Sequence, residues 1–122
     1  MKKVVNKIGY IENKYLPTMK SKTGGHYVYI RQYDKKTKKC IVNTITSLEG
    51  KKGYKFNRLQ QVKLGNVYSV PKKDINLPLW SGISANPIKN VDISKIKNIG
   101  KIKMKKRHCF FIGKFLGKKR YD

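Results

Sequence analysis

His26 follows the glycine pair Gly24-Gly25 and opens a run of β-branched and aromatic residues, which makes it the side chain best placed to move a proton. An unperturbed imidazole titrates near ~6.5, and general acid–base catalysis by such a group contributes about 10² to 10⁴ in rate. Gly24 and Gly25 can turn their backbone N–H groups to one side as an anion-binding nest. Lys22 or Arg31 would offset negative charge developing on a bound group. Further along, Lys51-Lys52-Gly53-Tyr54-Lys55 sets an aromatic ring among lysines, a combination that stacks a base and holds its phosphate. Plainer readings stand beside these: His26 as a polar strand end next to a loop, and 51–55 as a solvated surface loop. His108, in Lys105-Lys106-Arg107-His108, reads as a phosphate-facing or merely surface residue rather than a second catalyst.

Thirty Lys and Arg stand against six Asp and Glu, a formal charge of +24 on 122 residues. A compact chain repels itself at that charge unless a partner neutralises it. Lys and Arg gain affinity for phosphates by releasing condensed counterions, so a nucleic acid is the expected partner. The alternative is a Lys-rich solvated surface, since only Arg31, Arg58, Arg107 and Arg120 break the dominance of lysine. Eight Tyr, four Phe and one Trp are too many aromatics for a disordered basic tail, so the chain is expected to fold. Its length predicts one domain, 1–122, with a modest core and a basic final segment, 101–122. Lysines interrupt every window of membrane-spanning length, and Met1-Lys2-Lys3-Val4-Val5 leads into no apolar stretch of a signal peptide. A cytoplasmic protein with no membrane partner is expected. Cys40 and Cys109 have no metal-ligand or dithiol spacing and read as buried strand residues, so no metal or cofactor site is predicted.

Short strands must position these residues. Segments 26–33 and 39–46 flank the turn Asp34-Lys35-Lys36-Thr37-Lys38 as a hairpin. Its antiparallel pairing brings His26, which begins one strand, to the same end as Thr46, which finishes the other. Segment 4–11 predicts an earlier strand with a bulge at Gly9. Segments 59–64 and 67–70 read as strands around Gly65-Asn66, and 79–85 as another, with Trp80 in the core. Asp92 is the expected N-cap of one helical turn. Segment 14–25 reads as a long loop of functional character. Segment 101–119 fits a helical stripe through Phe110, Phe111, Ile112, Phe115 and Leu116, but Gly113 and Gly117 favour a bent strand, which is the reading adopted. The whole predicts a mainly β fold, a small barrel with little helix.

Three segments carry a resemblance by their order. They are Thr23-Gly24-Gly25-His26-Tyr27-Val28-Tyr29-Ile30, then Cys40-Ile41-Val42-Asn43-Thr44-Ile45-Thr46-Ser47, then Ile75-Asn76-Leu77-Pro78 through Asn86-Pro87-Ile88-Lys89 to Ile96. Together they resemble the MazF/PemK-like toxin family, small SH3-like barrels that cut RNA without a metal. His26-Tyr27 stands where that family has Arg-Pro, and Asn86-Pro87-Ile88-Lys89 where it has Gln-Ile-Arg.

The resemblance implies an SH3-like (PemK-like) barrel and a metal-independent endoribonuclease toxin of a toxin-antitoxin or phage-defence module. Single-stranded RNA would be cleaved to a 2′,3′-cyclic phosphate, with Thr46 and Ser47 hydrogen-bonding the scissile phosphate beside His26. It also implies an antitoxin partner, an acidic protein or, as in the ToxN-like branch, a structured RNA, together with a homodimer. The competing reading is a non-catalytic basic nucleic-acid-binding barrel, which needs the charge but not His26. A third is a mobile-element protein that binds a host nucleic-acid enzyme through its basic surface.

Overall fold

Alternating β-branched and aromatic residues make this a mainly β chain, as expected. In the computed structural model its strands are β1 (Ile8–Glu12), β2 (Gly25–Asp34), β3 (Lys39–Ser47), β4 (Val67–Val70), β5 (Ser81–Ser84), β6 (Ile88–Asp92) and β7 (Lys97–Ile102), with one α-helix among the described residues, α1 (Lys106–Lys119). The structure describes residues 3–20, 22–47, 66–77 and 80–119. They fall into two units, 1–45 with 87–103 and 46–86 with 104–122.

In the first unit β1 pairs antiparallel with β2, from Ile8 opposite Tyr29 to Glu12 opposite Gly25. Its other edge pairs with β7, and the register shifts between Ile8 and Tyr10. The expected bulge at Gly9 is not found: Gly9 keeps its regular place opposite Val28, and the extra residues of the shift lie on β7, where 98–101 span the interval that Gly9 alone spans on β1. A Cβ at Gly9 would run into the Ile96 side chain, so what requires glycine there is the close approach of that side chain.

The hairpin of β2 and β3 turns through Lys35 to Lys38, where Lys38 takes a φ of 59° and donates its N–H to the Asp34 carbonyl at 2.8 Å. Asp34 Oδ1 accepts the Lys36 N–H at 2.9 Å, which explains an aspartate at the turn's start. On the far edge of β3, Cys40 lies opposite Val91 of β6. Inward-facing residues of these strands form one core of Ile11, Val28, Ile30, Val42, Val91 and neighbours. Each such side chain contributes about 1.5–3 kcal/mol when removed from water.

Segment 14–25 is tied to that core. Leu16 is fully buried, Tyr15 and Met19 pack beside it, and a 3-10 turn spans Asn13–Tyr15. Asp92 caps the later turn Ile93–Lys95 by accepting the Ser94 N–H at 2.9 Å, as its position predicts. Cys40 is buried in its strand and donates its Sγ–H to the Val91 carbonyl at 3.2 Å. Burial pushes its thiol up to about 11.

In the second unit β4 and β5 pair antiparallel from Val67 opposite Ser84 to Val70 opposite Ser81. The segment read as 79–85 forms its strand at Ser81–Ser84, while 59–64 and Gly65 lie outside the described residues. Three expectations are corrected here. Segment 101–119 is not a bent strand: β7 ends at Ile102 and 106–119 is helical, with His108 and Ile112 buried one turn apart. Gly113 has open space around it, so its cost of about 1 kcal/mol in a helix is tolerated instead of breaking the segment. Cys109 consequently sits half-buried on the helix, not in a strand. Trp80 is no core residue: it is 44% exposed and its indole N–H donates to Ser69 Oγ at 2.6 Å.

Candidate active site

His26 is the second residue of β2 and lies opposite Ile11 of β1. It shares a strand face with Val28 and Ile30, yet at the strand's mouth it is only half-buried. Asn13, immediately after β1, reaches it. Asn13 is 7% exposed, its Nδ2 donates to the Thr23 carbonyl at 2.8 Å, and its backbone N–H donates to the Gly24 carbonyl at 2.9 Å. Donation by Nδ2 fixes the amide's orientation and turns Oδ1 towards the ring, where it lies 2.6 Å from His26 Nδ1. Nδ1 must then carry the proton, so a neutral His26 has its lone pair on Nε2. A base oriented by a hydrogen bond at its second nitrogen is the arrangement a proton-transfer imidazole requires.

Sequence reasoning missed Asn13. It stands 13 residues from His26, and only the β1–β2 pairing, which joins Glu12 to Gly25, brings the two together.

What the structure shows for the glycine pair is loop closure. Gly24 takes a φ of +77° and presents its carbonyl to Asn13. The space over Gly25 is filled by the Tyr10 phenol, and the Ile11 carbonyl lies 2.7 Å from where a Cβ would stand. Tyr10 also meets Tyr27 edge-on at 5.3 Å between ring centroids, and Tyr27 is 37% exposed. This gives the face opposite His26 an aromatic pair. Glu12, across from Gly25, is held below the usual carboxylate range first by its hydrogen bond with Lys97 at 3.2 Å, then by Lys14 at 3.4 Å.

The remaining expected residues are distributed as follows. Lys22 is exposed in the loop before Thr23. Arg31 is half-buried and lies five residues along β2 from His26, about 16 Å at ~3.3 Å per residue, so the structure does not bring it to the imidazole. The described pairing of β2 with β3 runs to Tyr27 opposite Ile45; Thr46 and Ser47 continue β3 past that pair as half-buried residues of the second unit. Lys51, Lys52 and Tyr54 lie outside the described residues.

His108 is corrected from a surface residue to a buried one, 7% exposed. Its Nε2 donates to Asp74 Oδ2 at 2.7 Å and its Nδ1 lies 2.8 Å from the Tyr68 hydroxyl. Arg107 donates to the same carboxylate at 2.8 Å, and Lys105 Nζ is 3.2 Å from its other oxygen. Arg107 foremost, then His108 and Lys105, holds the Asp74 carboxyl well below the usual carboxylate range. Asp74 also accepts the Lys105 N–H through its carbonyl at 2.9 Å, so this cluster anchors the start of α1. Its residues are spent on one another, which suits a structural role better than a catalytic one.

Among the described residues no three or more of His, Cys, Asp and Glu come together as a metal-binding group, and no helix is long and apolar enough to cross a membrane. No family model matches the chain, and no curated protein does.

Proposed function

We propose that this chain is a metal-independent endoribonuclease that cuts single-stranded RNA. The observation that carries the reading is the oriented imidazole: His26 Nδ1 held at 2.6 Å by a buried amide that is itself anchored to Thr23. Nε2 takes the proton of the ribose 2′-OH as that oxygen attacks the neighbouring phosphorus. The P–O5′ bond breaks, the departing 5′-oxygen takes a proton from water, the His26 imidazolium returns its proton to solvent, and a 2′,3′-cyclic phosphate remains. Neither metal nor cofactor enters the step. A charge of +24 supplies the attraction for the substrate. The phosphate-binding roles that the resemblance implies for Thr46 and Ser47 belong to this reading, as do an antitoxin, acidic protein or structured RNA, and a homodimer.

Incubating the full chain with single-stranded RNA in excess EDTA tests the proposal, with product ends read by mass spectrometry. Cyclic phosphate ends are expected from RNA and no cut from DNA of the same sequence. A second reading, a binding module without cleavage, needs only the charge of +24 and not His26, and intact RNA in the same assay would select it.

A further inference from the structure

A groove of about 650 Å³ opens in the first unit where the start of the chain meets β7. Lys3, Lys7, Lys101 and Lys103 line it, and no acidic residue takes part. Val4, Ile96 and Ile99 form its apolar floor. The groove depends on local backbone geometry. Asn98 and Gly100, both in its lining, have φ of 56° and 87°, and Gly100 stands against the Lys7 side chain. These kinks in β7 bring Lys101 and Lys103 to the same opening as Lys7.

We infer that this groove is a second nucleic-acid site, a track for the phosphodiester backbone of single-stranded RNA. Four lysines lining one groove with no acid among them favour a polyanion, and the aliphatic residues between them offer the bases an apolar surface. The inference goes beyond the cleavage reading, because it concerns binding and holds whether or not His26 moves a proton. The groove lies at the Ile8 end of β1, where Ile8 faces Ile102, while His26 faces Ile11 near the other end. From Lys7 to Ile11 is about 13 Å along the strand, roughly four stacked nucleotides at ~3.4 Å each.

Fluorescence anisotropy with a labelled 2′-O-methyl oligouridylate, which has no 2′-OH to attack the phosphate, measures it across a salt series. Replacing Lys3, Lys7, Lys101 and Lys103 together by Gln is expected to lower the slope of log K against log salt by about 2 to 3, at ~0.7 for each phosphate left without its lysine. A control with the same charge change, Gln at Lys35, Lys36, Lys38 and Lys39 of the β2–β3 turn, is expected to lower it by less than about 1. Equal losses in the two variants, or none in the first, would overturn the groove. So would displacement of the RNA by polyglutamate at matched charge, which would assign the groove to an acidic protein. Should the fourfold variant melt early, Lys101→Gln with Lys103→Gln carries the test, at an expected loss of about 1.4. RNA left whole by a wild type whose slope still falls in the fourfold variant would overturn the cleavage reading alone, which separates its failure from failure of the groove.

Discussion

Asn13→Ala removes the side chain on which the orientation of His26 rests. Two hydrogen bonds disappear, Nδ2 to the Thr23 carbonyl at 2.8 Å and Oδ1 to His26 Nδ1 at 2.6 Å. Each contributes about 1 kcal/mol net. The exposed Thr23 and half-buried His26 can recruit water, so the larger penalty for unsatisfied buried groups does not apply, and the loss sums to about 2 kcal/mol. For a chain of this size that lowers the melting temperature by roughly 6–12 °C, measurable by circular dichroism. Cleavage should fall about ten- to a hundred-fold at a temperature where the variant stays folded, since a turned ring no longer presents Nε2. Asn13→Asp keeps an acceptor for Nδ1 but sets its other oxygen against the Thr23 carbonyl, so its effect is read at the ring and not from stability. A carboxylate beside the ring attracts the imidazolium by about 4 kcal/mol at 4 Å and an effective dielectric of ~20. Solvent at the half-buried ring cuts this severalfold, leaving about one pH unit at ~1.36 kcal/mol per unit. The acidic limb of the pH–rate profile, where the base must lose its proton, should move up by that amount. A stability change below about 0.5 kcal/mol for Asn13→Ala, or an unmoved limb for Asn13→Asp, would refute the amide bridge as the ring's support.

Glycine substitutions should split by surroundings. Gly25→Ala meets the Tyr10 ring and the Ile11 carbonyl and should destabilise by about 1–3 kcal/mol, while Gly113→Ala enters open space on a helix and should stabilise by about 1 kcal/mol in the same urea titration. Asp74 has a folded pKa depressed below its unfolded value, so its contribution is fully present above about pH 4 and drains away as pH falls further. Melting scans should therefore show an acid-side loss of stability that is flattened in Asp74→Asn, which is already less stable at about pH 7; parallel pH profiles for the two proteins would contradict the role given to Arg107 and His108.

Elements whose signal was local were legible in the sequence. The β2–β3 hairpin and the Asp92 cap each follow from alternation or a short side chain at the right place, whereas Gly9 is glycine for the close approach of Ile96 and the bulge lies across from it on β7. Segment 106–119 misled because two glycines were weighed as breakers, although Gly113 lies on the solvent side where its only cost is propensity. Long-range partnership was the illegible part. Asn13 and His26 meet through strand pairing, and His108 is buried because Asp74, 34 residues away, supplies a carboxylate for it. Neither pairing leaves a periodic trace. Trp80 was misassigned because size alone suggested burial, whereas its indole N–H is satisfied at the surface by Ser69.

Single-turnover cleavage of a labelled RNA in EDTA, run side by side with wild-type chain and His26→Ala at matched, saturating protein, bears most directly on the central claim. The account predicts equal RNA binding by both, cyclic phosphate ends from the wild type, and a rate about 10² to 10⁴ lower for the variant. Equal rates for the two proteins, or RNA left whole by a wild type that binds it tightly, would contradict it.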